Sequence, residues 1–358
     1  MKNKILKGAR PTITNDHGEE HIYVFEQDAI DAVNAALAIN RPLLIRGEPG
    51  AGKSQLAKAA AAALKRTYIP FTVNHSTEAK DLLCSFDAVA RLADAQIEGA
   101  LCKDENERCR ARERLAKANY LSPGPLWQAL NWQSAGKQYA KIQSCRQQAG
   151  VGEKAEDPCG LSENPMAHYL NADKAESNGA VVLIDEIDKA DSSVPNGLLE
   201  VLGANRFHPE GMDRPVEAEG IPPLIIITTN EERILPDAFI RRCLSVTLGL
   251  PENRAEQVAY LVKHGAPNFP ELENDKMERD KNVLQAAAEM ILNDRALAQE
   301  KNLHPLPGQA EYFDLLRGMD KLKKERSPEE FVELLTTLSR FTSKKHPDFP
   351  RDSLAEAP

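Results

Sequence analysis

The chain has 358 residues, of which 42% are hydrophobic, and its formal net charge is −9 at pH 7. That length predicts a main domain with a smaller second one, and the acidic balance argues against a broad nucleic-acid-binding surface. No run approaches the roughly 20 apolar residues of a membrane-spanning helix, and no apolar signal region opens the sequence, so we expect a cytoplasmic protein without a membrane span.

The first informative segment is a glycine-rich loop at residues 46–54, which reads RGEPGAGKS and contains the pattern G-x-x-x-x-G-K-S. A predicted helix (26–37) and an apolar strand (42–45) precede it, and a run of helix formers (55–66) follows it. This order is typical of a phosphate-binding loop, whose backbone N–H groups surround phosphate oxygens. A glycine turn that binds nothing is the disfavoured alternative. The predicted nucleotide-binding residues are Gly47, Glu48, Pro49, Gly50, Ala51, Gly52, Lys53 and Ser54.

Within this loop, Lys53 is predicted to contact the outer phosphates and Ser54 to bind Mg²⁺ through its hydroxyl. Further along the chain, after a strand predicted at 68–74, an apolar run at 180–184 ends in Asp185 and Glu186. A buried parallel strand has this composition, and ligands gather at its carboxyl end.

Asp185 is therefore predicted to hold Mg²⁺ through water, and Glu186 to act as the general base on the attacking water. A core strand that is followed by an acidic helix cap is the alternative. A third apolar run, at 224–229, ends at Asn230, and residues 235–243 (LPDAFIRRC) lead to a last strand at 244–248.

With these motifs in this order, the chain resembles AAA+ ATPases. More narrowly, residues 41–50, 184–190 and 235–243 resemble the MoxR branch of that family. The resemblance implies an α/β fold: a phosphate-loop core with a parallel five-stranded sheet of strand order 5-1-4-3-2, flanked by helices and followed by a C-terminal all-α lid.

The resemblance also implies roles for single residues. Asn230 matches the sensor-1 residue, which positions the water near the γ-phosphate. Arg242 matches the arginine finger that completes the neighbouring subunit's site, and Arg241 is the second candidate; helix-end arginines that only complement the helix dipole remain the alternative. Asn74 lies where many AAA+ proteins have a polar partner for the catalytic glutamate. The stretch 306–312, which matches the start of the sensor-2 helix, contains no basic residue.

The function that the resemblance implies is ATP hydrolysis with Mg²⁺ by a ring, expected to be a hexamer, that remodels a partner protein bearing a von Willebrand A domain. ATP is expected to bind between the core and the lid. A slow-turnover, nucleotide-dependent switch in a bacterial defence or signalling system is the alternative. A nucleic-acid motor is disfavoured by the acidic composition, so nucleic acid is not an expected partner.

The predicted domains are an N-terminal segment (1–20), a nucleotide-binding core (21–250) with an inserted segment at about 98–175, a helical lid (251–342) and a flexible tail (343–358). Inside the core, residues 134–166 are predicted to form a long loop with a helical piece.

Smaller features complete the prediction. Trp127 and Trp132 are expected to anchor their segment to the core, and residues 206–217 to form a hairpin around Gly211. The six cysteines include no C-x-x-C pair, so reduced thiols are expected, with a zinc clip among residues 102–159 as the alternative.

Overall fold

The computed structural model of the chain describes residues 6, 8, 10–14, 18–101, 104–148, 164–274, 282–322 and 328–349. Its α-helices are α1 (Gln27–Ile39), α2 (Lys53–Leu64), α3 (Ala88–Leu101), α4 (Glu105–Arg114), α5 (Pro125–Leu130), α6 (Trp132–Gln148), α7 (Ala175–Asn178), α8 (Ser193–Ala204), α9 (Asp237–Ile240), α10 (Arg254–Gly265), α11 (Pro270–Asn274), α12 (Val283–Glu300), α13 (Gln309–Leu322) and α14 (Pro328–Thr342). Its strands are β1 (Thr12–Thr14), β2 (Glu20–Ile22), β3 (Leu43–Arg46), β4 (Thr67–Thr72), β5 (Cys84–Phe86), β6 (Leu121–Pro123), β7 (Ala180–Asp185), β8 (Arg206–Phe207), β9 (Val216–Glu217), β10 (Leu224–Thr229) and β11 (Leu244–Thr247).

Five strands form the central sheet in the order β11-β3-β10-β7-β4. Numbered among themselves along the chain, they have the order 5-1-4-3-2, which confirms the predicted fold class. The inner strands β7 and β10 read AVVLID and LIIITT, and their hydrophobic side chains are buried because both faces of the sheet are covered. Pro70 lies in the edge strand β4, where a missing backbone N–H is tolerated.

The parallel register brings the chemically important strand ends to one edge of the sheet. Thr229 pairs with Arg46, Ile227 with Ile184, and Asp185 with Thr72. Asp185 and Thr229 therefore lie at the same carboxyl edge, as the apolar runs with polar ends predicted.

Helix α5 anchors the middle of the chain in the hydrophobic core of this sheet. Trp127 is fully buried, and its ring meets the Phe207 ring edge-on with centroids 5.9 Å apart. Trp132 is partly buried and packs against the same core. Both tryptophans thus have the anchoring role that the sequence predicted.

The helical piece that was predicted within the loop at 134–166 is α6, which extends to Gln148 and occupies most of the first half of that range. Ala135, Gln138 and Ile142 are buried at helical spacing on this helix. Gln138 belongs to the buried face because its amide donates to the carbonyl oxygens of Ala118 and Leu121, at 2.6 and 2.9 Å. Because glutamine is a polar residue, the sequence did not indicate that Gln138 belongs to the buried face or how far this helix extends. Residues 149–163 lie outside the described part of the chain.

Two pairs of short antiparallel strands lie in the segments that connect the strands of the central sheet. β5 and β6 pair antiparallel, and the chain between them forms α3 and the highly charged α4, which is exposed except at the buried Ala111 and the half-buried Arg114. β8 and β9 pair antiparallel around Gly211, which confirms the predicted hairpin. The inserted segment with bounds 98–175 stays a prediction.

Internal contacts divide the chain into two compact units. The first contains the described parts of residues 1–8, 27–46 and 57–246, and thus most of the central sheet. The second contains those of residues 9–26, 47–56 and 247–358. Within the second unit, α10 to α14 bury one apolar core, in which Tyr312 and Ile291 are fully enclosed. The predicted domain boundaries at residues 20, 250 and 342 stay predictions.

Among the residues described, no helix is long and apolar enough to cross a membrane. The same residues contain no group of three or more His, Cys, Asp or Glu side chains that could hold a metal ion. Cys84, Cys109, Cys145 and Cys243 are free thiols. Cys102 and Cys159, on which the zinc alternative also depended, lie outside the described part of the chain.

Candidate active site

The phosphate loop begins where β3 ends and runs into α2 at Lys53, so the strand–loop–helix order of the motif is present. The loop belongs to the second unit. Gly47 has a φ of +146°, and a Cβ atom at this position would lie 2.2 Å from the carbonyl oxygen of Leu248. Both the backbone conformation and the close approach of this carbonyl therefore require glycine.

The Lys53 side chain is buried inside the loop. Its Nζ donates hydrogen bonds to the carbonyl oxygens of Gly47 and Glu48, at 2.7 and 2.9 Å. Phosphate oxygens are charged and are therefore stronger acceptors than these carbonyls. A bound phosphate can accordingly replace these carbonyls as the hydrogen-bond acceptor of the Lys53 ammonium. Ser54 is the second residue of α2.

An arginine from the C-terminal helices also reaches this loop. Arg295 of α12 donates from Nη2 to both carboxylate oxygens of Glu48, at 2.8 Å each, and from Nη1 to the carbonyl oxygen of Pro307 at 3.0 Å. Only 11% of the Arg295 side chain is exposed. The sequence analysis missed this residue, because it lies inside a helix and belongs to no motif.

Arg295 and the loop line the same narrow cleft, which has a free volume of only about 20 Å³. Its lining residues are Glu48, Pro49, Gly50, Ala51, Gly249, Leu250, Tyr260, Arg295, Gly308 and Gln309. The cleft is too small to hold a nucleotide in this conformation, and both members of the Glu48–Arg295 ion pair line it.

We expect opposite effects from the two members of this ion pair. Arg295→Met should weaken ATP binding about tenfold, because a buried cation at the loop is lost. Glu48→Gln should strengthen binding severalfold, because the competing carboxylate is removed. Titration with a fluorescent ATP analogue measures both dissociation constants. Arg254→Met is the matched control, since Arg254 is bonded to Glu289 and Asn293 and, among the described residues, not to the loop. Equal affinities for all variants would contradict the prediction.

In the first unit, Asp185 and Glu186 are held by the neighbouring strand. The Thr228 hydroxyl donates to Oδ1 of Asp185 at 2.5 Å and accepts the backbone N–H of Glu186 at 2.8 Å. Glu186 itself has a φ of +58°, in the left-handed region. The fully buried Thr228 thus joins the Asp185 carboxylate to the backbone of Glu186 and fixes the turn between them.

The structure brings the two predicted residues Glu186 and Asn230 together. Nδ2 of Asn230 donates to Oε1 of Glu186 at 3.1 Å. The other carboxylate oxygen, Oε2, accepts a short hydrogen bond from Nζ of Lys189. This hydrogen bond to the carboxylate raises the pKa of the Lys189 ammonium above its ordinary value. Glu186 is therefore oriented by an amide on one side and a cation on the other.

Asp188, whose role was not predicted, stabilises the turn at Asn230 through hydrogen bonds to its backbone. It is only 1% exposed, and its Oδ2 accepts the backbone N–H groups of Asn230 (3.1 Å) and Glu232 (2.9 Å). Its Oδ1 is buried without a hydrogen-bond partner among the described residues. The sequence DEID contains the signal for this residue, but its role depends on a contact 42 positions further along the chain.

Asn74 does not contact Glu186 in the described structure. Its side-chain oxygen accepts hydrogen bonds from Ser76 and Thr77, and so closes the turn after β4. The expected polar partner of the glutamate is therefore not Asn74 here; the described partners are Asn230 and Lys189. An asparagine after a strand suits both roles, so the sequence could not separate them.

The two candidate arginines follow α9 and are exposed. Nη1 of Arg242 donates to the carbonyl oxygen of Ala238, at 3.1 Å, on the same helical turn. The Arg241 guanidinium makes no hydrogen bond or ion pair with the described residues. Neither arginine contacts Asp185, Glu186 or Asn230 of its own chain within the described structure, as expected of a residue that serves a neighbouring subunit.

A family profile described as "AAA domain (dynein-related subfamily)" matches residues 42–243, more than half of the chain. Similar solved structures include the RuvB Holliday junction branch migration motor of Thermotoga maritima (TM-score 0.38, 13% identity, 87% of this chain and 67% of that one). A mutant of Thermotoga maritima RuvB is similar to the same degree (TM-score 0.39, 13% identity, 87% and 68%). These values are too low to add to the assignment.

No curated protein matches this chain in sequence. The matched residues nevertheless include four of the five strands of the central sheet (β3, β4, β7 and β10), the phosphate loop, and the cluster of Asp185, Glu186 and Asn230. AAA+ domains are in general nucleotide-hydrolysing ATPases. The chain belongs to the AAA domain family, in its dynein-related subfamily.

Proposed function

We propose that this chain binds ATP at residues 47–54 and hydrolyses it to ADP and phosphate. The observation that carries the proposal is the hydrogen bond between Asn230 and Glu186 at the carboxyl edge of the sheet. It holds a carboxylate and an amide together where a general base and a water-positioning group are needed. If Glu186 served only as an acidic helix cap, its carboxylate would not need to be held by Asn230, which follows the neighbouring strand β10.

The donor set of the chain fits ATP with Mg²⁺. Positive-φ glycines leave room for close backbone approach to phosphates, and the Lys53 ammonium lies at the loop. Ser54 and Asp185 offer oxygen atoms, which are the ligands that Mg²⁺ prefers. A bound Mg²⁺ ion supplies neutralisation of the phosphate charge. Glu186 accepts a proton from the attacking water, and Asn230 orients both the Glu186 carboxylate and this water.

The test is an assay of phosphate release by the purified chain. We expect hydrolysis of ATP that is lost on removal of Mg²⁺ by EDTA and restored on its addition. Lys53→Ala should abolish nucleotide binding, because the loop loses its principal cation. Phosphate release by Lys53→Ala at the unaltered rate would reject the proposed site, and comparison of ATP with GTP establishes the purine preference.

We further propose a MoxR-type assembly in the cytoplasm: a ring, most simply a hexamer, in which Arg242 of each subunit completes its neighbour's site. The motifs at residues 41–50, 184–190 and 235–243 support this. The position of Arg242 on an exposed turn, away from its own Glu186 cluster, is consistent with action on another copy. Analytical ultracentrifugation with ATP tests the ring, and a monomer at all concentrations would reject it.

The proposed role is the remodelling of a partner protein, in the first instance one with a von Willebrand A domain. Helix α3 supports partner contact, because Val89, Leu92 and Ile97 on it are 79%, 62% and 52% exposed. A slow-turnover switch is the alternative. Steady-state hydrolysis with and without such a partner separates the two, since a remodeller is stimulated and turns over repeatedly, whereas a switch stays bound and slow.

A further inference from the structure

Arg41, which lies two residues before β3, makes hydrogen bonds to the turn that carries the two candidate arginines. Its Nε donates to the carbonyl oxygen of Arg242 at 3.0 Å, and its Nη2 makes a short hydrogen bond to the carbonyl oxygen of Arg241. These carbonyls belong to the C-cap residue of α9 and to the residue after it, where the helix offers no further N–H group to bond them. Arg41 therefore caps α9 with a guanidinium from a different element.

A second contact, made by the backbone of Leu244, holds the same turn. The backbone N–H of Leu244 donates to the carbonyl oxygen of Pro42 at 2.8 Å, where β11 begins to pair with β3. Cys243, between the two contacts, is buried. The backbone of residues 241–244 is thus attached to the start of β3, while the side chains of Arg241 and Arg242 remain exposed.

Such an attachment matters because α9 cannot hold its own geometry. It has only four residues and no side-chain N-cap hydrogen bond, and isolated helices of this length are unstable. A guanidinium that stabilises transition-state charge has to be presented in a fixed position, since a displacement of about 1 Å can cost 10²-fold in rate. Arg41 supplies two of the contacts that fix this turn.

We propose that Arg41 is a positioning residue for the arginine that acts on the neighbouring subunit. The proposal rests on the proposed function, in which Arg242 completes the next site in a ring. Its consequence is specific: loss of Arg41 should damage the site of the neighbour and leave the nucleotide site of the same chain competent. A merely structural role at the start of β3 would instead damage the chain's own site.

The experiment compares Arg41→Met, Arg41→Lys and the control Arg91→Met. Arg91 is also an exposed arginine that donates to a backbone carbonyl, that of Leu115 at 2.9 Å, but it lies in α3. We expect Arg41→Met alone to hydrolyse ATP roughly 10²-fold more slowly with ATP affinity unchanged within about twofold. Arg41→Lys should restore part of the rate, because its ammonium can reach one carbonyl, and Arg91→Met should be unaffected.

Mixing with Glu186→Gln subunits decides between the two roles. An Arg41→Met subunit keeps its own Glu186 and receives an intact arginine from a Glu186→Gln neighbour, so mixed rings should regain activity, as mixtures of Arg242→Ala with Glu186→Gln should. Rescue for Arg242→Ala but none for Arg41→Met or Arg41→Lys would overturn the positioning role alone. No rescue for either arginine, despite co-assembly, would overturn the proposed action between subunits and this inference with it.

Discussion

Glu186→Gln is expected to bind ATP like the unaltered chain and to hydrolyse it roughly 10²- to 10⁴-fold more slowly, the range that general-base catalysis contributes. An amide cannot accept the proton of the attacking water, but it has the shape of the carboxylate and can still face Asn230. Single-turnover phosphate release, combined with equilibrium binding of an ATP analogue, separates the two effects. The bound, unhydrolysed state should persist for long enough to capture partner proteins.

Glu232→Gln is the matched control for this variant, because it makes the same chemical change two residues beyond Asn230. The Glu232 side chain is exposed, and what the structure uses at this position is the backbone N–H that Asp188 accepts. Its hydrolysis rate should be close to that of the unaltered chain. Equal losses in both variants would indicate a general electrostatic effect, and an unaltered rate in Glu186→Gln would remove Glu186 from the mechanism.

Features that depend on a local run of residues could be predicted from the sequence. The strands β7 and β10 are continuous apolar, β-branched runs that end in polar residues. The phosphate loop needs glycines at fixed spacing, so its pattern is visible without any structure. The contact of Asn230 with Glu186 was not itself predicted, and it results from the parallel register of the strands that they follow.

Features that depend on contacts between distant residues could not be predicted. Arg295 reaches Glu48 across 247 positions, and Arg41 reaches Arg241 across 200. Both are single arginines in a chain that contains many others, so their sequence surroundings do not distinguish them. Lys189 was visible in the motif DEIDK, but its pairing with Glu186 depends on the left-handed backbone at Glu186, which the sequence does not indicate.

Arg242→Ala is expected to leave ATP affinity largely intact and to reduce turnover about 10³-fold or more, the effect of removing an arginine finger. The hydrogen bond of Arg242 to Ala238 is exposed, so its loss should cost about 1 kcal/mol of stability at most. Thermal unfolding of the variant therefore checks that the lost turnover does not reflect unfolding.

Arg241→Ala is the decisive comparison, since the two arginines are adjacent and both backbones are held by Arg41. Arg242 rests on its own helical turn and has to exchange the Ala238 carbonyl for phosphate oxygens, which a charged acceptor favours. Arg241 has no such contact among the described residues, and its removal should reduce turnover far less. A larger loss in Arg241→Ala would transfer the finger to Arg241 and leave Arg242 as a residue that only completes the end of α9. In either case the effect should appear in the neighbouring subunit's site, because among the described residues neither side chain bonds to Asp185, Glu186 or Asn230 of its own chain.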